Sequence, residues 1–404
     1  MSEPNIRRVA ISTGGGDAPG LNAVIRAAVL AGLNRGWQMF GIREGYNGLM
    51  LPYDFPNGGL IALTRESVHG ITPLGGTIIG TTNRGNPLEF PVTQPDGSVI
   101  EQDVSDELIR RFAAHGLDAL ISIGGDGSLG IAAILAKKGL RVIGIPKTID
   151  NDLDGTVATF GFDSAVSFAT EAIDRLHSTA DAHRRVMVVE VMGRYAGWIA
   201  LNSGISASAD AILIPEIPYD LASVARKIAE CEGRGQKHAI IVVAEGAKPK
   251  GGTVSVIKPS EPGAKERLGG AGERITAELE LMTDREMRTV VLGHLLRGGT
   301  PTTFDRLLAL RFGAAAIRAL AEGETGIMVA LDPPTVNYVP LEVATQRMKT
   351  IPLDCDSILT GRDLGICFGD LGAAEASASV IVPHEGEIDQ RSTEDESSAT
   401  IDDS

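Results

Sequence analysis

Two segments of this chain share one pattern, an apolar strand that runs through glycines into a helix. They are STGGGDAPG at 12–20 and SIGGDGSLG at 122–130, and both set GGD at the turn. A continuous apolar strand must be covered on both faces, and a short glycine turn into a helix supplies that cover. The pattern recurs. Strands are predicted over 8–13, 37–43, 119–123, 141–146, 186–191, 211–215, 239–244, 289–292 and 327–331. Helices are predicted over 21–35, 105–115 with Ser105 as N-cap, 129–137, 164–179, 221–231, 274–282 and 304–322. The reading is α/β, with mostly parallel sheets. The region 51–103 is turn-rich. The stretch 248–270 reads as an exposed insertion, and the chain beyond about 371 as an acidic disordered tail.

Composition removes several classes. The 404 residues suggest two or three domains and ample burial. Lys and Arg number 37 against 52 Asp and Glu, a net charge of −15. From Glu385 to Ser404 there are eight acids and one base, so −7 of that total sits in the last 20 residues. An acidic chain with 4% aromatics is a poor partner for nucleic acid or an anionic membrane. Three cysteines without CxxC spacing disfavour a disulfide framework. There is no apolar run of membrane-spanning length, no sequon, and no apolar segment in MSEPNIRR, so the expectation is a cytoplasmic protein.

The two GGD turns are candidate phosphate sites, because helix N-termini present N–H donors and a favourable dipole. Asp126 repels phosphate by itself and makes sense with Mg²⁺ between it and the phosphate oxygens. No GxxxxGK[ST] occurs, and GxGxxG is broken by Pro19. PKTIDND at 146–152 puts Asp150 and Asp152 in a loop at a strand's carboxyl end, where open α/β sheets bind ligands; Lys147 offsets their repulsion. Met192-Gly193-Arg194 ends another strand, with Arg184 and Arg185 at its start. Glu286-Met287-Arg288 and GHLLRGG at 293–299 supply more cations suited to planar phosphate recognition. Taken singly, these segments also read as tight turns, an Asx turn, surface ion pairs and a packed core histidine.

Together the motifs resemble the phosphofructokinase A family. The resemblance rests on GGDAPGLNAVIR at 15–26, GGTIIGTTNRGNP at 75–87, IGGDGS at 123–128, PKTIDND, EAIDRLHSTADAHRRVMVVEVMGRYAGWIAL at 171–201 and VLGHLLRGGTP at 291–301. It covers about 8 to 370 and implies two Rossmann-like three-layer αβα domains with the active site in the cleft between them. The implied division is 1–161 plus 296–345 for the phosphoryl donor and 162–295 plus 346–370 for fructose 6-phosphate, with 371–404 as the tail. It implies transfer of a phosphoryl group to the 1-hydroxyl of fructose 6-phosphate, with Mg²⁺ as cofactor. By resemblance Asp150 is the general base, with Thr148, Ile149 and Asp152 beside it, and Asp126 is the metal ligand. Gly16, Gly125, Asp126, Gly127, Ser128 and Lys147 match the donor site. Arg194 matches a charge-stabilising arginine, Met192 and Gly193 line the sugar, and Glu245 accepts a sugar hydroxyl. His294 and Arg297 match 6-phosphate ligands. Arg185 and Arg288 match ligands lent by a neighbouring subunit, which implies a homodimer or homotetramer with shared sites. A donor-bridging arginine falls at Asn83 or Arg84, and Arg84 is chosen because only it can neutralise donor oxygens.

The donor is read from two positions. Pyrophosphate users resemble GGDD or GGED with PKTIDND; typical ATP users carry glycine at both places. This chain combines Gly127 with Lys147. Room at Gly127 favours ATP, with pyrophosphate, ADP and GTP as alternatives. At the family's effector site Arg26, Arg65, Lys237 and His238 match, whereas Leu30 and His177 stand in place of arginines and Asp210 in place of a glutamate. A silent sugar-phosphate sensor is the non-enzyme alternative, disfavoured by the presence of Asp126, Asp150 and Arg194.

Overall fold

Successive side chains of a strand point to opposite faces, and here both faces are apolar. In β1 (Arg8–Thr13), Val9 and Ile11 enter one core while Ala10 enters another. The computed structural model describes residues 6–258 and 267–370. After β1 come α1 (Leu21–Leu33), β2 (Gln38–Ile42), α2 (Asn47–Met50) and β3 (Leu60–Leu63). A hairpin of β4 (Phe90–Thr93) and β5 (Val99–Gln102) leads to α3 (Ser105–Ala114), β6 (Ala119–Gly124), α4 (Asp126–Lys137), β7 (Val142–Thr148) and the short β8 (Phe160–Gly161). The chain continues through α5 (Phe162–His183), β9 (Val186–Val191), α6 (Trp198–Ser206), β10 (Ala211–Leu213), α7 (Leu221–Gly233) and β11 (Ala239–Ala244). Then come β12 (Val256–Lys258), β13 (Arg267–Leu268), α8 (Ala271–Glu280), β14 (Met287–Val291), α9 (Thr303–Glu322), β15 (Ile327–Asp332), β16 (Thr335–Pro340), α10 (Leu341–Ala344) and α11 (Asp356–Asp363).

Two main sheets result. The first has the order β16-β15-β7-β6-β1-β2-β3, with β8 beside β7; β3 and β16 are antiparallel edges on a parallel centre. The second, β10-β11-β9-β14, is parallel throughout. Each is covered on both faces. In the first, Ile121 and Ile123 pack with α1 and α9 residues such as Val24 and Phe312, while Leu120 packs with Phe112 and Leu129 of α3 and α4. In the second, Met187 and Val189 face Ile173 and Ile199, and Val188 faces Val224 and Ile275. The α/β reading therefore holds. No helix among the described residues is long and apolar enough to cross a membrane.

The chain goes from β1 to one side of the first sheet through β2 and β3, then returns to the other side as β6. The gap between β1 and β6 is the topological switch point, where the carboxyl ends of strands open a crevice. Both GGD turns lie at that gap.

Several boundaries differ from the sequence reading. Ser105 is not the N-cap of α3. Val104 holds that place, and Asp103 Oδ1 accepts from the Ser105 amide at 2.8 Å and from its hydroxyl. A carboxylate two residues earlier out-competes the hydroxyl as acceptor. Helix α4 begins at Asp126 rather than 129, so the second GGD turn is itself the first helical turn. Edge strands β3 and β16 and helix α6 had no sequence signal strong enough to be read. Part of the 248–270 insertion forms β12 and β13; its residues 259–266 and the expected tail 371–404 lie outside the described residues.

Helices α1 and α9 pack closely because Gly313 has no side chain. A Cβ there would fall 2.5 Å from the Val24 carbonyl oxygen and 2.9 Å from Ala27 Cβ. Gly130 in α4 would meet nothing within 4 Å. Gly313→Ala is therefore expected to lower stability by about 1–3 kcal/mol through overpacking. Gly130→Ala is expected to raise it by about 0.5–1 kcal/mol through helix propensity. Urea unfolding of both variants checks the opposite signs.

Candidate active site

The first GGD turn is built by close approach. Gly14 N donates to Ile123 O at 3.0 Å, and Gly15, with φ of 77°, donates to Thr82 O at 3.0 Å. A Cβ on Gly14 would lie 2.6 Å from Ser128 Oγ, so the two turns touch through that serine. The segment 80–84 is stitched to the same place. Thr13 Oγ1 donates to Gly80 O at 2.6 Å and Thr81 Oγ1 to Gly15 O at 2.7 Å. Arg84 follows, exposed, with its amide donating to Thr82 Oγ1 at 3.0 Å; Asn83 is exposed beside it.

Lys147 reaches from β7 across β6 to this turn. It is 3% exposed, and Nζ donates to Gly14 O at 3.1 Å and to Gly16 O. Burial, helped by the Arg297 charge, pushes its ammonium down to about 7, against the pull of Asp17, Asp150 and Asp152. Thr148 ends the strand, and its hydroxyl accepts from the Asp150 amide at 3.1 Å. Ile149 is fully buried. Asp150 is pushed up to about 7 by burial and then by Asp152, with Arg297 opposing. Its Oδ1 is buried with no hydrogen-bond partner, and so is that of Asp152, which burial also raises.

The second sheet adds its own strand ends. Met192, Gly193 and Arg194 follow β9, and Gly246 N donates to Gly193 O at 3.0 Å, setting Glu245 against that loop. Burial and Glu190 raise the Glu245 carboxyl; Arg194 and Arg297 oppose them. Arg297, from the turn after β14, joins the two sheets. Its Nη1 donates to Asp17 O at 3.1 Å, and a Cβ on Gly16 would lie 2.7 Å from the same nitrogen. His294 is exposed on that turn. Asp150 thus senses Arg297, Glu245 and Lys147 together.

Two expected residues stand apart. Arg185 precedes β9 and Arg288 lies in β14, where Arg288 registers with Met187. Both pair with Glu286, Arg185 at 2.8 Å. They occupy the amino ends of strands whose carboxyl ends carry Arg194 and His294, and each strand residue adds roughly 3.3 Å of separation. Some of the residues compared with an effector site make contacts of their own. Asp210 accepts from Gln236 at 3.0 Å and from the Ile240 amide at 2.9 Å, and His177 meets His238 at 3.2 Å.

Asp17, Thr81 and Asn151 also belong to the site's frame and were not singled out from sequence. Asn151 carried a usable signal, since asparagine tolerates the left-handed backbone it adopts at φ 50°. The donor set fits Mg²⁺ held jointly with a phosphate. Asp126 stands in the first turn of α4 and its charge helps raise Asp152, whose orphaned oxygen has no hydrogen-bond partner. Among the described residues no group of three or more His, Cys, Asp or Glu gathers into a closed cage. Magnesium in phosphoryl-transfer sites uses one or two carboxylates with substrate oxygens and water.

Glycine turns facing a near-neutral carboxylate across a crevice form the architecture of a phosphotransferase. The family model for phosphofructokinase matches residues 8–320, and the chain belongs to that family. It is 48% identical over 364 residues to the ATP-dependent 6-phosphofructokinase of Chloroflexus aurantiacus, covering 90% of this chain and 98% of that one. It is 46% identical over 351 residues to a pyrophosphate–fructose 6-phosphate 1-phosphotransferase of Amycolatopsis mediterranei, covering 86% and 97%. Among solved structures, Pichia pastoris phosphofructokinase in the T-state aligns with a TM-score of 0.72 at 30% identity, covering 85% of this chain and 36% of that longer one.

Ionising Asp150 costs the folded state. Below 3.8 the carboxyl is neutral in both states and costs nothing; between 3.8 and about 7 only the unfolded carboxyl ionises, so stability falls as pH rises across that range and the full cost is present above it. Asp150→Asn should therefore have a higher Tm than the parent at pH 8, with the gap closing toward pH 4. Calorimetry across that range checks it, and a lower Tm at pH 8 would contradict the assignment.

Proposed function

We propose that the chain is a 6-phosphofructokinase that moves the terminal phosphoryl group of ATP to the 1-hydroxyl of fructose 6-phosphate, in glycolysis. The observation that carries this reading is Asp150, a carboxylate near neutrality with an unpartnered buried oxygen, set among the donor turn, Glu245 and Arg297. A base with its pKa near working pH is the efficient one. Asp150 accepts the hydroxyl proton as that oxygen bonds to the terminal phosphorus; the bond from phosphorus to the bridging oxygen breaks and ADP leaves. Arg194 offsets charge on the migrating group, with Thr148 and Asp152 framing the base. Glu245 accepts a sugar hydroxyl, Met192, Gly193 and Ile149 line the sugar, and Arg297 and His294 hold the 6-phosphate, which orients the reacting end. Asp126 would hold Mg²⁺ together with the bound donor, and the ion would supply neutralisation of phosphate charge.

Donor binding is assigned to Gly16, Arg84, Gly125, Gly127, Ser128 and the segments 1–161 plus 296–345, and sugar binding to 162–295 plus 346–370. Support comes from β15 and β16 returning to the first sheet, and from Cys367 bridging to Ala211 at the second. ATP is favoured over pyrophosphate by open space at Gly127, where a Cβ would meet nothing within 4 Å. Lys147 is committed to two turn carbonyls and serves either donor. Arg185 and Arg288 are assigned to a neighbouring subunit's site, in a homodimer or homotetramer. A cytoplasmic location is supported by the three free cysteines.

Purified protein with fructose 6-phosphate and Mg²⁺, offered ATP, ADP, GTP and pyrophosphate, is expected to be fastest with ATP. In the same assay Asp150→Asn should lose about 10²–10⁴-fold in turnover. Gly127→Asp should lower the ATP-to-pyrophosphate rate ratio, since the chain itself tolerates the side chain and only a nucleotide would clash; an unchanged ratio removes the main support for ATP. Mixed oligomers of Asp150→Asn and Arg288→Ala subunits should recover activity that neither variant has alone, and no recovery in verified hybrids would sink the shared site.

A further inference from the structure

The base loop is held by a distant strap. Asn151, between the two aspartates, is 5% exposed and sits in the left-handed region. Its Oδ1 accepts from Thr159 N at 3.1 Å and from Lys349 Nζ at 3.0 Å. Lys349 Nζ also donates to Thr156 O at 2.9 Å and Val157 O at 3.0 Å, so all three of its protons are used on one side of this loop. The Lys349 amide donates to Asp152 O at 2.8 Å, and Met348 bridges Leu153 in antiparallel fashion. An Arg347–Asp154 ion pair closes the outer end.

The same few residues grip the other half of the site. Lys349 O accepts from the Trp198 indole at 3.1 Å, and Ile351 N donates to Glu216 at 3.0 Å. Glu216 in turn accepts from Gly197 N at 3.1 Å. Gly197 and Trp198 open α6, three and four residues beyond Arg194. The strap therefore touches the loop of the base on one side and the loop of the charge-stabilising arginine on the other. Asparagine adopts the left-handed backbone more readily than most side chains, and its amide oxygen must then be held by donors to fix the loop. Here those donors are Thr159 and Lys349.

We propose that Lys349 is a positioning residue for phosphoryl transfer: by fixing Asn151 and tying 152–154 to the start of α6, it sets the separation of Asp150 from Arg194. The inference rests on the phosphofructokinase reading above. Misplacement of a reacting group by about 1 Å can cost on the order of 10²-fold in rate.

The test uses the full chain with fructose 6-phosphate, ATP and Mg²⁺. Lys349→Met keeps the stem and removes the donors. Its kcat should fall at least about 10-fold, consistent with a displaced base, while KM for both substrates stays within about 3-fold. Methylammonium or ethylammonium should restore part of the kcat of Lys349→Ala, a response that general destabilisation does not give. Arg347→Ala, which removes only the exposed outer pair, should stay within about 2-fold of the parent. If Lys349→Met does not fold, Asn151→Gly provides the second route, since glycine accepts the backbone but offers no Oδ1; the same kcat-only loss is expected. A folded Lys349→Met or Asn151→Gly with parental kcat overturns the proposal. So does a loss confined to KM, or a kcat loss that follows Tm and is not rescued by amine. Parent protein inactive with every donor overturns the functional reading and this inference together; an active parent with unaffected variants overturns this inference alone.

Discussion

The contact on which the site depends is the Lys147 ammonium against the carbonyls of Gly14 and Gly16. It spans three neighbouring strands, from the end of β7 across β6 to the turn after β1. A buried ammonium without acceptors would be costly, so these carbonyls must face it. Ser128 fills the space that Gly14 and Gly124 leave open, which binds the second turn to the first. The two glycine turns and the Asp150 loop are positioned by one set of short contacts.

The electrostatics carry a cost that the fold absorbs elsewhere. Asp150, Asp152 and Glu245 are all raised by burial, and two orphaned carboxylate oxygens point where no protein donor waits. Such groups do not stabilise the empty chain. The layered cores on both sheets are extensive, and under the proposed function a desolvated carboxylate is the better base. Arg297 offsets part of the cost, and it is also the residue that ties the two sheets together at Asp17. Under the proposed function, binding and folding share one arginine.

Much of the site was legible because the motifs are local. PKTIDND, GGDGS and MGR each sit at a strand's carboxyl end, and apolar runs followed by glycines locate those ends. Boundaries were less legible where chemistry competes over two residues, as when Asp103 takes the capping part expected of Ser105. Antiparallel edges β3 and β16 were illegible because they are only partly buried and lack the fully buried run of the central strands. Lys349 was illegible for a different reason: it meets Asn151 across 198 positions, and nothing near it in the sequence marks a partner.

By itself the sequence determined the α/β class, the family, and the local chemistry of each motif, because strand periodicity, glycine turns and carboxylate spacing act over a few residues. Tertiary structure alone decided which ends meet. It turned Lys147 inward to backbone carbonyls, brought Arg297 from β14's turn to the first glycine turn, and set Arg185 and Arg288 at the far end of the second sheet. It also drew the 347–351 strap over the base loop. These outcomes follow from strand order and crossover connections, which bring together groups hundreds of residues apart and which no local pattern encodes.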